Sequence, residues 1–311
     1  MDGIMVINKP ENYTSFDVVA VMRKLLKTKK VGHAGTLDPM ATGVLPILAG
    51  NATKIQNLLQ GSSKEYRAKF RLGLITDTED ISGKILKKNP VNVNVETLKK
   101  VISAFIGEIK QVPPMYSAIK KDGVRLYSLA RQGIEVSREN RVVTIDDIKL
   151  ENYNEEMQEA TMRVRCSKGT YIRTLCADIG NQLGCGAVMS GLERTRVGNF
   201  TLKKSITLDR VKELAPENKL DKLLLSIDSV LSKYNAVKVT DAQTVRFLNG
   251  GGLALDRISI KDAQDSQKLK VYGTDGKLLG LGIVNVTKKE MSVYKLSLIH
   301  ISEPTRQEAI S

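Results

Sequence analysis

The chain has no tryptophan, five phenylalanines, three cysteines and two histidines in 311 residues. Each scarcity excludes something. Cys166, Cys176 and Cys185 are odd in number and widely spaced, which builds neither a disulfide framework nor a CxxC zinc site. His33 and His300 lie far apart, so a zinc centre would lack ligands and no metal is expected. No apolar run approaches the about 20 residues that span a bilayer. The start "MDGIMVINKP" lacks a basic segment ahead of a long apolar core. No membrane contact and no signal peptide are therefore expected, and a cytoplasmic location is. Acidic residues are also in deficit: 34 Asp and Glu against 48 Lys and Arg leave a formal charge of +14. Such an excess attracts a polyanion, which points to nucleic acid. With so few large aromatics, stacking on bases falls mainly to the nine tyrosines, His33 and the arginines.

What is present reads as an α+β chain of about two domains. A short strand at residues 3–8 ends at Lys9-Pro10. "SFDVVAVMRKLLKTKK" follows as a helix that Ser15 can cap, with Phe16, Val19, Met22 and Leu26 at helical spacing. "KEYRAKFRLG" alternates: Tyr66, Ala68, Phe70 and Leu72 face one side and Arg67, Lys69 and Arg71 the other, a half-buried strand with a basic outer face. "TDTEDISG" reads as a turn-rich loop, and "NVETLKKVISAFIGE" as an amphipathic helix. Residues 111–141 break the pattern. They carry two prolines, Tyr116, Tyr127 and the cations Lys120, Lys121, Arg125, Arg131, Arg138 and Arg141. They are expected to protrude as a basic element. "ATMRVRCSKGTYIRTLCADIGNQLG" is a strand, a tight turn and a helix, with Arg173 in the helix's first turn, where an anion is favoured. After about Tyr234, short strands with glycine-rich turns, among them "AVKVTDAQTVRFLNGGGLAL" and a "TDGK" hairpin turn, suggest a small β-rich second domain.

The segment "GHAGTLDPMATG", residues 32–43, is rich in glycine and small residues but lacks the Gly-Lys-Ser/Thr ending of a phosphate-binding loop. It carries one carboxylate, Asp38. A lone Asp before proline ordinarily makes an Asx-turn or caps a helix. Here the flanking residues are small enough for another chain to approach closely, and His33, Thr36 and Thr42 add polar groups around the acid. A single acid without a His/Ser partner or a metal suits a nucleophile or base kept ionised by a cation. Arg173 is a candidate for that cation. Taken singly, Arg173 also reads as a surface helical arginine and Tyr66 as a core aromatic.

At this point the residues resemble a known family. "GHAGTLDPMATGVLPILAGNATK" is similar to the catalytic segment of the TruB family, the bacterial tRNA pseudouridine-55 synthases. So are "INKPENYTSFDVV", "KEYRAKFRLGLITDTEDISG", "QVPPMYSAIKKDGVRLYSLARQG" and "CSKGTYIRTLCADIGNQLGCGA", in family order across most of residues 1–200. The tail domain, with "VRFLNGGGL", resembles an RNA-binding PUA domain. The resemblance implies a mixed-sheet pseudouridine-synthase catalytic domain over residues 1–233, with 111–141 as an RNA-clamping insertion, and a PUA-like domain over 234–295. It implies Asp38 as the essential acid, Tyr66 as the group that removes a proton from C5, and Arg173 as the partner of Asp38. His33 would fill the space that the uridine leaves, and Lys9 would support the active-site region. Lys9, His33 and Tyr171 are counted among the RNA-binding candidates with Lys120, Lys121, Arg125 and Arg131.

The reaction so implied is an isomerisation by base flipping on the T-arm of tRNA, by a monomer, with no cofactor because no net redox change or hydrolysis occurs. A guide-RNA-dependent subunit is one alternative; the insertion argues against it, since a free-standing enzyme must grip its own substrate. A non-catalytic tRNA chaperone is the other; it would not need Asp38, Tyr66 and Arg173 together. One further expectation concerns residues 296–311. "LSLIHISEPTR" resembles the in-frame translation of a common transposase sequencing adapter. That tail, with His300, is expected to be a read-through artefact without function.

Overall fold

The computed structural model describes residues 2–217, 219–260 and 262–296. Residues 297–311 lie outside the described residues, and so does the expectation attached to them; Leu296 itself ends the last strand, paired with Gly280. The chain is α+β. A ten-stranded mixed sheet runs in the order Ile206–Thr207, Gly3–Lys9, Thr42–Ala49, Ala187–Val197, Lys64–Leu72, Glu159–Cys166, Arg141–Asn154 and Gly107–Gln111, with Val31–His33 beside Thr42–Ala49 and Phe200–Thr201 beside Ala187–Val197. Two parallel contacts, Gly3–Lys9 with Ile206–Thr207 and Thr42–Ala49 with Ala187–Val197, make the sheet mixed.

The alternation in Lys64–Leu72 decides which face becomes core. Tyr66, Ala68, Phe70 and Leu72 are buried, together with Met162, Val164 and Cys166 of the neighbouring strand. The helices Val95–Ser103 and Ile172–Gln182 cover this face through Leu98, Ile102, Ile172, Leu175 and Ile179. The opposite face stays wet. Its arginines are less free than expected, because Glu151 accepts from Arg67 at 2.7 Å and Arg163 at 2.5 Å. All three cysteines are buried and unbridged, and burial pushes the Cys166 thiol up to about 11.

The helix Ser15–Leu25 is capped one residue earlier than expected. Thr14 and Asp17 form a reciprocal capping box. That frees the Ser15 hydroxyl to bond both the N–H and the carbonyl of Leu37, at 2.9 and 3.3 Å. The buried stripe is Ser15, Val18, Val19 and Met22, and Phe16 turns out into solvent, 60% exposed.

The C-terminal five-stranded sheet runs Ala236–Lys238, Lys268–Tyr272, Leu278–Asn285, Glu290–Leu296 and Leu253–Ala254. Residues 241–248, expected as strand, form a helix, Asp241–Leu248, behind a Thr240/Gln243 capping box. The sheet docks on the ten-stranded one: Leu278 and Leu281 share a buried cluster with Ile4, Val6, Leu48 and Val197. Asp228, in the connecting segment, accepts from Lys270 at 2.9 Å and from the Tyr272 hydroxyl at 2.5 Å.

The glycine-rich segment 32–43 is the end of a hairpin, Val31–His33 pairing with Thr42–Ala49 so that His33 faces Ile47. Gly43 shows why small residues are needed there. Its φ is +101° and a Cβ would sit 2.3 Å from the Arg194 carbonyl oxygen across the parallel contact. Both the left-handed backbone and the strand spacing exclude a side chain. Gly43→Ala is expected to lower stability by about 2 kcal/mol or more, read as a shift in the urea unfolding midpoint.

Candidate active site

Residues 34–41 hang between two strands, yet nearly every one is tied down. Arg194, 1% exposed, donates from its three guanidinium nitrogens to the carbonyls of Val44 at 2.8 Å, Thr36 at 3.3 Å and Gly35 at 3.0 Å. Ser15 holds both backbone groups of Leu37. The Pro39 carbonyl accepts from the Asn12 N–H at 2.9 Å and from the Lys9 ammonium at 3.1 Å. The Ala41 N–H closes a turn onto the Asp38 carbonyl. Asp38 is thus presented by a rigid loop.

Lys9 belongs to this buttress. It is fully buried, and its ammonium also donates to the Pro10 and Tyr13 carbonyls at 2.8 and 2.5 Å. This corrects its place among RNA-contacting residues: all three N–H groups are engaged inside the protein, out of reach of a phosphate. Burial lowers its pKa to about 8, against the opposing charge of Asp38.

Asp38 meets Arg173 through Oδ2, 3.1 Å from Nε, and keeps 40% of its side-chain surface open. Arg173 is buried at the start of its helix, which Tyr171 precedes as N-cap. Its remaining nitrogens donate to the Thr78 carbonyl at 3.2 Å and the Tyr116 carbonyl at 2.7 Å, and Asp80 lies 3.7 Å away. Asp80 in turn accepts from the Thr78 hydroxyl, the Ser82 N–H and the Ser82 hydroxyl. Neighbouring Glu79 takes the Thr174 hydroxyl at 2.7 Å. The loop read only as turn-rich thus carries a second acid for Arg173. Its clustered Asp and Thr residues were the available signal.

Tyr66 is 8% exposed and shares a core cluster with Leu37 and Ala41 of the loop. Burial raises its phenol, while the positive charge of the Arg194 guanidinium pulls the other way. Tyr171 is half-buried, with its N–H and carbonyl clamped by the Gln111 amide at 3.1 and 3.2 Å; burial raises its phenol too. His33 is 8% exposed, its Nδ1 has no hydrogen-bond partner, and burial and Arg194 hold its pKa below the ordinary histidine value. Sequence reasoning missed Arg194. It sits in "LERTR", where two arginines and a glutamate alternate with nothing to mark one as internal.

The insertion is a small hairpin, Lys120–Lys121 with Val124–Arg125, followed by the helix Leu126–Arg131. Lys120, Lys121, Arg125 and Arg131 are all exposed. Arg125 and Arg131 flank the Tyr127 ring at 5.8 and 5.6 Å. The base of the element reaches the site directly, since the Tyr116 carbonyl is one of the groups bonded to Arg173. No group of three or more His, Cys, Asp and Glu among the described residues is placed to hold a metal ion, and no helix there is long and apolar enough to cross a membrane.

The chain is similar to known proteins along most of its length. The family profile described as "TruB family pseudouridylate synthase (N terminal domain)" matches residues 23–172, and that of the "tRNA pseudouridylate synthase B C-terminal domain" matches residues 173–232. The "tRNA pseudouridine synthase B" of Clostridium tetani is 47% identical over 297 residues, covering 95% of this chain and 99% of its own length. The protein of the same name from Azoarcus sp. is 43% identical, covering 91% of each. Among solved structures, a chain of "Crystal Structure of a Cbf5-Nop10-Gar1 Complex" aligns with a TM-score of 0.70 at 28% identity, over 91% of this chain and 78% of that one. A chain of "Structure of H/ACA RNP bound to a substrate RNA containing 2'-deoxyuridine" gives 0.71 at 25% identity, over 94% and 84%. By this similarity along almost its whole length, the chain belongs to the TruB family of pseudouridylate synthases.

Proposed function

We propose that this chain isomerises uridine to pseudouridine at position 55 in the T-loop of tRNA, in the cytoplasm and without a guide RNA. The observation that carries the reading is the Asp38 carboxylate: held by a buried Arg173 at 3.1 Å, open on its outer side, and set in a rigid loop of small residues beside the buried Tyr66. The relatives named for tRNA, above 40% identical over nearly the whole chain, favour this over a guide-dependent assembly.

The isomerisation breaks the N1–C1′ bond, turns the base and joins C5 to C1′; the C5 proton passes to an acceptor and N1 takes up a proton, so nothing is oxidised and the atom count is unchanged. The uridine must first be extruded from its loop, at a cost of a few kcal/mol. The small residues around Asp38 leave it a place to go. Asp38 supplies the carboxylate for the bond rearrangement, oriented by Arg173 at 3.1 Å. Tyr66 accepts the C5 proton as a phenolate and becomes the phenol; burial opposes that phenolate and the positive charge of Arg194 favours it. The insertion, with its exposed cations, grips the T-arm backbone, and the C-terminal sheet, as a PUA-like domain over residues 234–295, adds a second RNA contact. The direct test is to incubate the purified protein alone with an unmodified tRNA transcript and map pseudouridine.

Asp38→Asn keeps size and removes the charge. It is expected to lower turnover by at least about 100-fold, with tRNA affinity within a few-fold of wild type in a filter-binding assay. Arg173→Lys keeps the charge but cannot reach Asp38, Thr78 and Tyr116 together. A loss of about 100-fold in kcat is expected from the misplaced acid, measured in single-turnover reactions. Replacing Lys120, Lys121 and Arg125 by glutamine should make the plot of log affinity against log salt shallower by about 2, at 0.7 to 0.9 per lost phosphate contact. An unchanged slope would remove the insertion from the interface.

A further inference from the structure

We infer that Phe16 is an RNA-stacking residue, its ring receiving a base that flanks the extruded uridine; this rests on the reading of the chain as a tRNA-modifying enzyme. Three observations lead to it. First, Phe16 is the one exposed aromatic side chain among the described residues. At 60% exposure it stands apart from Phe70, Phe200 and Phe247, which are buried, and from the tyrosines, none of which reaches the surface to that degree. Its helical spacing would have served a core position, yet the stripe that the helix buries passes through Ser15, Val18, Val19 and Met22 instead.

Second, its position relative to the catalytic loop is fixed. Ser15, the preceding residue, is bonded to both backbone groups of Leu37, and Leu37 precedes Asp38. The capping box of Thr14 and Asp17 holds the same helical turn on its other side. An exposed ring therefore sits on rigid backbone, a pre-organised contact that would lose little conformational freedom on binding.

Third, the ring meets His33, the histidine at the entrance of the loop, at 5.4 Å between centroids and 90° between planes. A perpendicular contact uses the edge of one ring and one face of the other, so the pair keeps open faces for a third ring. The surroundings suit an anionic, base-bearing ligand. Arg23 is exposed and donates to the Val31 carbonyl on the same short strand, and exposed Lys30 precedes that strand. Exposed aromatic rings together with cations along the backbone path hold single-stranded RNA without sequence readout.

The test is the affinity of the full chain for a T-arm hairpin RNA, measured in an Asp38→Asn background so that no product forms. Phe16→Ala is expected to weaken binding about tenfold, a typical value for one lost base stack. Phe16→Tyr, which keeps the ring, is expected to remain within twofold. Both variants should unfold at the same temperature as the parent, because the side chain is in solvent. Unchanged binding by Phe16→Ala would overturn the inference. So would an equal loss in Phe16→Tyr, since a ring-preserving change cannot remove a stack. Wild-type protein is assayed in parallel for pseudouridine. Its inactivity would bring down the functional reading, whereas an active wild type with an indifferent Phe16 brings down this inference alone.

Discussion

The Arg173 guanidinium is the node on which the site depends. One planar group reaches the Asp38 carboxylate, the Asp80 carboxylate, the Thr78 carbonyl and the Tyr116 carbonyl. Those four belong to separate stretches of chain: the hairpin loop, the acidic turn and the base of the insertion, joined at a helix start. A buried cation demands partners on all its donors, so the three stretches cannot move independently without stranding one of them. A lysine would supply the charge without the fork. Here the geometry carries as much as the charge, because the acid's orientation is set by which nitrogen it faces.

Beneath that node lies a second layer of buried cations with a different task. Lys9 and Arg194 bind six backbone carbonyls, three of them, Gly35, Thr36 and Pro39, in the loop that carries Asp38. Small residues alone would make that loop pliable. The cations remove the pliability and leave the space. Lys9 faces the charge of Asp38, and Arg194 brings positive charge to the buried Tyr66 phenol.

Much of this was legible in the sequence where one periodic pattern acted alone. The alternation of Tyr66, Ala68, Phe70 and Leu72 gave the correct buried face, and the helix behind Arg173 began where its turn residues placed it. Asp38 stood out because a single acid in a glycine-rich segment has few structural reasons to be there. The rest depended on contacts between distant segments. Phe16 fits a helical stripe as well as Val18 does, and it takes the packing of Val18, Val19 and Met22 on the sheet, with the bond between Ser15 and Leu37, to fix which stripe turns inward. Lys9 reads as any basic residue before a proline until the strand end and the loop close over it. Arg194 is hidden among similar charges. The helix Asp241–Leu248 was missed for a local reason: the Thr240/Gln243 box was present in the sequence, but the surrounding glycines drew attention to turns.

The joint between the two sheets has a geometric consequence of its own. Leu278 and Leu281 lie in the same apolar cluster as the first strand of the chain, and Asp228 pins Lys270 and Tyr272 from the connecting segment. A linker of glycine and serine would have let the two bodies sample many separations. This joint packs them together through buried apolar side chains. Any long, stiff ligand that touches both sheets is therefore gauged like a part between the jaws of a fixed calliper, accepted when two of its features lie at the set span and rejected when they do not, with no need for the protein to read a single letter of its sequence.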